Sequence, residues 1–153
     1  MQVSIYSREA IEARLSLGPL PNTAVISFYD PKWKGRGYET PVDYTGKCDH
    51  VMQVAIHDLD PDALNEIGLT IDTYFPEADE VATFIHTAKE LGCDIICQCE
   101  YGQSRSAGCA AAILEYFEGR GIDIFADYRY YPNQLVYHKI FDALKRGKGK
   151  ALS

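Results

Sequence analysis

The chain has no excess of positive charge, no long apolar run, and no repeated or low-complexity block. Its formal net charge of −7 opposes attraction to polyanions, which excludes nonspecific binding of nucleic acid or anionic membrane as its main role. Met1 to Ser7 carry no basic stretch leading into an apolar segment, and no segment approaches a membrane span in length. A cytoplasmic protein that engages neither nucleic acid nor membrane is expected. The four histidines, His50, His57, His86 and His138, form no spaced cluster. Cys97 and Cys99, two apart, lack the further ligands an ordinary zinc site requires, so neither a metal nor a cofactor is expected. The five cysteines are an odd number, and Cys93, Cys97 and Cys99 crowd one apolar stretch. That pattern excludes a secreted disulfide framework and fits a reducing compartment.

What is present is enough for one hydrophobic core: 153 residues, 46% of them apolar, read as a single domain over 1–153. Gln2 to Tyr6 reads as a strand, followed by a helix capped by Ser7 and stopped by Gly18 and Pro19. Thr23 to Tyr29 is a second strand ended by Asp30 and Pro31, and Lys32 to Gly46 is a loop carrying Trp33, read as a packed residue in a solvated loop. Val51 to Ile56 is a third strand, broken by the acidic segment Asp58 to Asp62. A helix is expected from Pro76 to about Leu91, a buried strand from Asp94 to Gln98, a helix from Ser106 to about Phe117, and a last helix from Pro132 to Arg146 with a basic tail at its end. Strands alternating with helices predict an α/β fold, a mainly parallel central sheet flanked by helices on both faces. Ligands of such sheets bind beyond the carboxyl ends of the strands.

The segment after Gln98 sits at such an end. Cys99-Glu100-Tyr101-Gly102-Gln103-Ser104-Arg105-Ser106 joins a buried strand to a helix of small residues. That arrangement turns successive backbone N–H groups and the positive end of a helix dipole toward one concavity sized for a tetrahedral dianion. Gly102 permits the tight path, and Arg105 offers a planar fork for two phosphate oxygens. The same field favours a thiolate at Cys99. A free thiol titrates near pH 8.5, and settings of this kind bring it to about 3.5–7.5. The hydroxyl of Ser106 is placed to donate to the sulfur and improve it as a leaving group. Together these are the parts of covalent phosphoryl transfer.

On these residues the sequence resembles the protein tyrosine phosphatase superfamily, whose signature is cysteine, five residues, arginine, then serine or threonine. Cys99, Arg105 and Ser106 match it. The extended form Cys99-x-x-Gly102-x-Ser104-Arg105-Ser106-Ala107 is most similar to the small dual-specificity branch, and Arg129 to Val136 (RYYPNQLV) resembles the closing helix of small bacterial members. The resemblance implies a protein tyrosine phosphatase-like fold, a phosphocysteine on Cys99, and a phosphate cradle from Glu100, Tyr101, Gly102, Gln103, Ser104 and Arg105. It also implies a proton-donating aspartate upstream: Asp58, at the end of the third strand, is favoured over Asp60. The family usually places histidine immediately before the nucleophile, where this chain has Gln98. The expected substrate is a phosphorylated protein, phosphotyrosine first, or a small phosphate monoester. Glu100 inside the loop ranks phosphoinositides lower. The alternatives are a phosphate-binding pseudophosphatase module and a rhodanese-like sulfurtransferase. Cys93, Cys97 and Cys109 read as core residues, His57 as a polar strand end, and His138 as surface or core edge.

Overall fold

The structure is a computed structural model that describes residues 1–31 and 40–151. The expectation for Trp33 falls outside the described residues. Along the chain run β1 (Val3–Tyr6), α1 (Arg8–Leu15), β2 (Thr23–Tyr29), β3 (His50–Ala55), a 3-10 turn (Leu64–Ile67), α2 (Ala78–Glu90), β4 (Asp94–Gln98), α3 (Arg105–Glu118), α4 (Ile122–Phe125) and α5 (Gln134–Ala151). The strands form one sheet in the order β1-β4-β2-β3 with every pairing parallel. No helix among the described residues is long and apolar enough to cross a membrane.

The two central strands are mostly apolar because both their faces are covered. Ala24, Ile26, Phe28, Ile95 and Cys97 face a core shared with α2, α3 and α5. Val25 and Ile96 face the other way, onto Ile11 and Leu15 of α1 and onto Leu20, Val42 and Tyr44. Ser7 caps α1, its hydroxyl accepting from the Ala10 N–H at 3.0 Å, a contact worth about 1 kcal/mol. In α3 the run Ala107, Gly108, Cys109, Ala110, Ala111, Ala112 is wholly buried. Small side chains there let the sheet and α5 approach the helix closely. The carbonyl of Asn133 lies 2.6 Å from where a Cβ on Gly108 would sit.

β2 and β4 fall on the expected residues. α2 begins at Ala78 rather than Pro76, after Phe75 with its positive φ of 56°. The last helix does not stop at Arg146 but runs on to Ala151. Within the expected basic tail, Lys145 pairs with Asp142 and Arg146 with Asp79 of α2.

Candidate active site

β4 ends at the middle of the sheet and delivers Cys99 to its carboxyl edge. The Cys99 N–H donates to the Tyr6 carbonyl at 3.3 Å, extending the pairing with β1 by one step. Its side chain is buried, and its sulfur lies 3.1 Å from the Ser106 hydroxyl in the first turn of α3. The intervening loop folds back against the start of α1. Gly102 takes φ +66°, and a Cβ there would stand 2.7 Å from the Ser7 nitrogen, so glycine is required twice over, for conformation and for contact. The Arg8 N–H donates to the Glu100 carbonyl at 3.0 Å, and the Arg8 Nε to the Glu100 carboxylate at 2.8 Å. Glu100 therefore turns its charge toward α1, and Tyr101 beside it is exposed.

Among the described residues, the N–H groups of Glu100, Tyr101, Gly102, Gln103 and Ser104 find no protein acceptor. Ser104 stands at the N-cap of α3 yet its side chain caps nothing. A serine in that place usually satisfies one of the first helical amides; here its hydroxyl donates instead to Asp58 Oδ1 at 2.7 Å. Strand end, glycine turn and uncapped helix start thus leave successive amides of the loop after Cys99 without a protein acceptor among the described residues, as loops that bind oxyanions do.

Arg105 is buried behind the loop, with Nη1 donating to Asp30 Oδ1 at 2.7 Å and to the Ile56 carbonyl at 2.9 Å. The guanidinium is anchored by the carboxyl ends of β2 and β3. In the sequence Asp30 reads only as the residue that ends β2. The signal is its position: a carboxylate at the C-terminal edge of a strand adjoining that of Cys99.

The two candidate acids separate clearly. Asp58 is exposed, and its Oδ1 accepts from the Ser104 hydroxyl and, at 2.8 Å, from Asn133 Nδ2. Asp60 closes its own turn, Oδ1 accepting from the Ala63 N–H at 2.8 Å. The structure brings Asp58, not Asp60, to the cysteine loop. Behind them the Tyr74 hydroxyl donates to the His57 carbonyl at 2.6 Å, and burial pushes that phenol up. Asn133, to which the sequence assigns no role beyond its place in RYYPNQLV, also donates to the Leu59 carbonyl at 3.0 Å.

Gln98 points to the opposite face from Cys99, into a buried polar cluster. Its Oε1 accepts from Ser27, its neighbour across β2, and from Tyr44 at 2.8 Å. Its Nε2 donates to the Cys99 carbonyl at 2.9 Å. In a trans peptide the carbonyl and the following N–H point in opposite directions. Holding the Cys99 carbonyl toward Gln98 therefore turns the Glu100 N–H toward the sulfur's face. Burial pushes the Tyr44 phenol up, so it remains a donor. Cys97 and Cys109 lie 3.5 Å apart in the core, and burial together with its cysteine neighbours pushes the Cys109 thiol well up.

No protein-family model matches the chain, and no curated protein matches it in sequence. Solved structures do match. Human DUSP28 is 16% identical with a TM-score of 0.55, over 95% of this chain and 90% of that one. A mouse putative dual specificity phosphatase complexed with zinc tungstate is 16% identical with a TM-score of 0.52, over 98% and 86%. The human tyrosine phosphatase-like serine/threonine/tyrosine-interacting protein is 16% identical with a TM-score of 0.54, over 96% and 87%. The all-parallel sheet, the helices on its two faces and these likenesses together show that the chain has the protein tyrosine phosphatase-like α/β fold of the small dual-specificity phosphatases.

Proposed function

We propose that the chain is a cysteine-dependent phosphatase that hydrolyses phosphate monoesters, with protein phosphotyrosine as leading substrate and phosphoserine or phosphothreonine after it. The observation that carries the reading is the Cys99 sulfur, 3.1 Å from the Ser106 hydroxyl, at the start of a loop whose amides from Glu100 to Ser104 have no protein acceptor among the described residues. That is a nucleophile beside an oxyanion cradle.

In the proposed reaction the Cys99 sulfur attacks phosphorus while the loop amides and Arg105 hold the non-bridging oxygens. The bond from phosphorus to the leaving oxygen breaks, and Asp58 gives that oxygen its proton. The phosphocysteine is then attacked by water. The Asp58 carboxylate takes the water's proton, the sulfur–phosphorus bond breaks, and the Ser106 hydroxyl donates to the departing sulfur. Inorganic phosphate leaves and Asp58 is protonated again. Asp30 anchors the Arg105 guanidinium.

Para-nitrophenyl phosphate is expected to be turned over in the presence of a chelator, and Cys99→Ser to reduce that turnover by at least about 10³-fold. Undiminished turnover in Cys99→Ser would remove the sulfur from the reaction. The tungstate in the mouse structure supports the reading as a bound tetrahedral oxyanion on a related fold.

A second reading, a module that binds phosphorylated partners without hydrolysing them, draws on Gln98 standing where the family usually has histidine. Tight phosphopeptide binding with no phosphate released would favour it. The amide of Gln98 argues for the enzyme, since it already supplies a donor to the Cys99 carbonyl.

A further inference from the structure

We propose that Asn133 is the positioning residue for the proton donor: its carboxamide fixes Asp58 and the loop that carries it over the cysteine loop. The proposal rests on Asp58 as the acid.

Asn133 precedes α5 and is buried. Its Oδ1 accepts from the Val136 N–H at 2.9 Å, which caps α5 and fixes the plane of the side-chain amide. Which end is nitrogen follows from that contact, because only an oxygen accepts from a backbone N–H. Nδ2 must then face the acid loop, where it donates to Asp58 Oδ1 and to the Leu59 carbonyl. One nitrogen thus holds both the side chain of the acid and the backbone next to it. The Asn133 N–H donates in turn to the Ser104 carbonyl at 3.0 Å, and the Tyr137 N–H donates to the Asn133 carbonyl at 3.0 Å. Three parts of the chain, the acid loop, the cysteine loop and α5, meet at this one residue.

The consequence for the chemistry lies in which oxygen carries the proton. Asp58 Oδ1 already accepts from Ser104 and from Asn133, so the transferable proton sits on Oδ2. Asp58 is otherwise an exposed side chain, and without the clamp its carboxyl would sample rotamers that do not reach the leaving oxygen. Of the titratable side chains nearby, the Tyr74 hydroxyl is committed to the His57 carbonyl, and Arg105 Nη1 to Asp30 and the Ile56 carbonyl. Asn133 and Ser104 are the side chains that donate to the Asp58 carboxylate.

Wild type, Asn133→Ala, Asp58→Ala and the double variant are compared on phenyl phosphate, a poor leaving group, and on para-nitrophenyl phosphate, a better one. Asn133→Ala is expected to lower kcat on phenyl phosphate about 10-fold or more, with KM little changed and with less than a threefold effect on para-nitrophenyl phosphate. In the Asp58→Ala background it should cost nothing further, because there is no acid left to place. Equal losses on both substrates, or losses that multiply in the double variant, would overturn the clamp and leave a merely structural residue.

Asn133→Asp keeps the shape and the α5 cap but sets a second carboxylate against Asp58, and like charges so close share one proton. The alkaline limb of kcat/KM on phenyl phosphate should move up by about one pH unit or more. An unmoved limb would overturn the proposal even if Asn133→Ala did not fold. Wild-type protein that releases no phosphate, or Cys99→Ser that still does, would instead overturn the phosphatase reading and this inference with it.

Discussion

Gln98 shows how a departure from a familiar residue is decided by its surroundings. An isolated glutamine buried next to Cys99 would be costly, since each unsatisfied polar atom removed from water costs about 1–3 kcal/mol. Here both ends of the carboxamide are engaged, Oε1 by Ser27 and Tyr44 and Nε2 by the Cys99 carbonyl. Gln98→Leu would leave those two hydroxyls without their acceptor and free the Cys99–Glu100 peptide to rotate. The expected result is a loss of about 2–4 kcal/mol of stability and at least about a tenfold lower kcat. Tyr44→Phe, which removes one donor and leaves the carboxamide held by Ser27, should cost about 1 kcal/mol and leave kcat within threefold. Thermal melts and steady-state kinetics on para-nitrophenyl phosphate check both. If Gln98→Leu lowers the melting temperature without touching kcat, the peptide plane is held by something else.

At the scale of elements, what the sequence made legible and what it hid divide along one physical line. β2 and β4 were read to the residue because turn chemistry bounds each of them, Asp30-Pro31 after the first and Gly92 before the second. The cysteine loop was legible because its chemistry is local, Ser106 lying seven positions after Cys99. Asn133 and Asp30 escaped because their partners lie 75 residues away, Asp58 in one case and Arg105 in the other. Contacts across that span leave no periodic trace in the chain. α4 and the 3-10 turn at Leu64–Ile67 are four residues each, too short for a helical period to show. Two glycines with the same φ of +66° test the reading of the loop. Gly119 ends α3 in open space, so Gly119→Ala should cost only the left-handed backbone penalty of about 1 kcal/mol and leave kcat unchanged. Gly102→Ala meets the Ser7 backbone as well, and should cost about 2–4 kcal/mol while lowering kcat at least tenfold. Chemical denaturation and kinetics on the pair separate the two terms. Equal costs would mean that the loop does not press on α1.

The whole molecule is organised around the same few residues. The loop from Cys99 to Arg105 is tied to α1 through Glu100 and Arg8, to β2 through Arg105 and Asp30, to the acid loop through Ser104 and Asp58, and to α5 through Ser104 and Asn133. An oxyanion seated on the loop amides therefore braces several parts of the chain that are far apart in sequence, and its binding energy adds to the stability of the entire fold. At a free ligand concentration one hundred times the dissociation constant, the added stability is about 2.7 kcal/mol. For a chain of this size each kcal/mol shifts the melting temperature by about 2–4 °C, so orthovanadate or inorganic phosphate should raise it by about 5–10 °C. Arg105→Ala, which removes the guanidinium, should abolish the shift. Asp58→Ala, which removes the acid without altering the amides, should retain it. A shift that survives Arg105→Ala would place the anion elsewhere on the surface. A shift that disappears in Asp58→Ala would mean that the acid loop, and not the row of amides, does the binding.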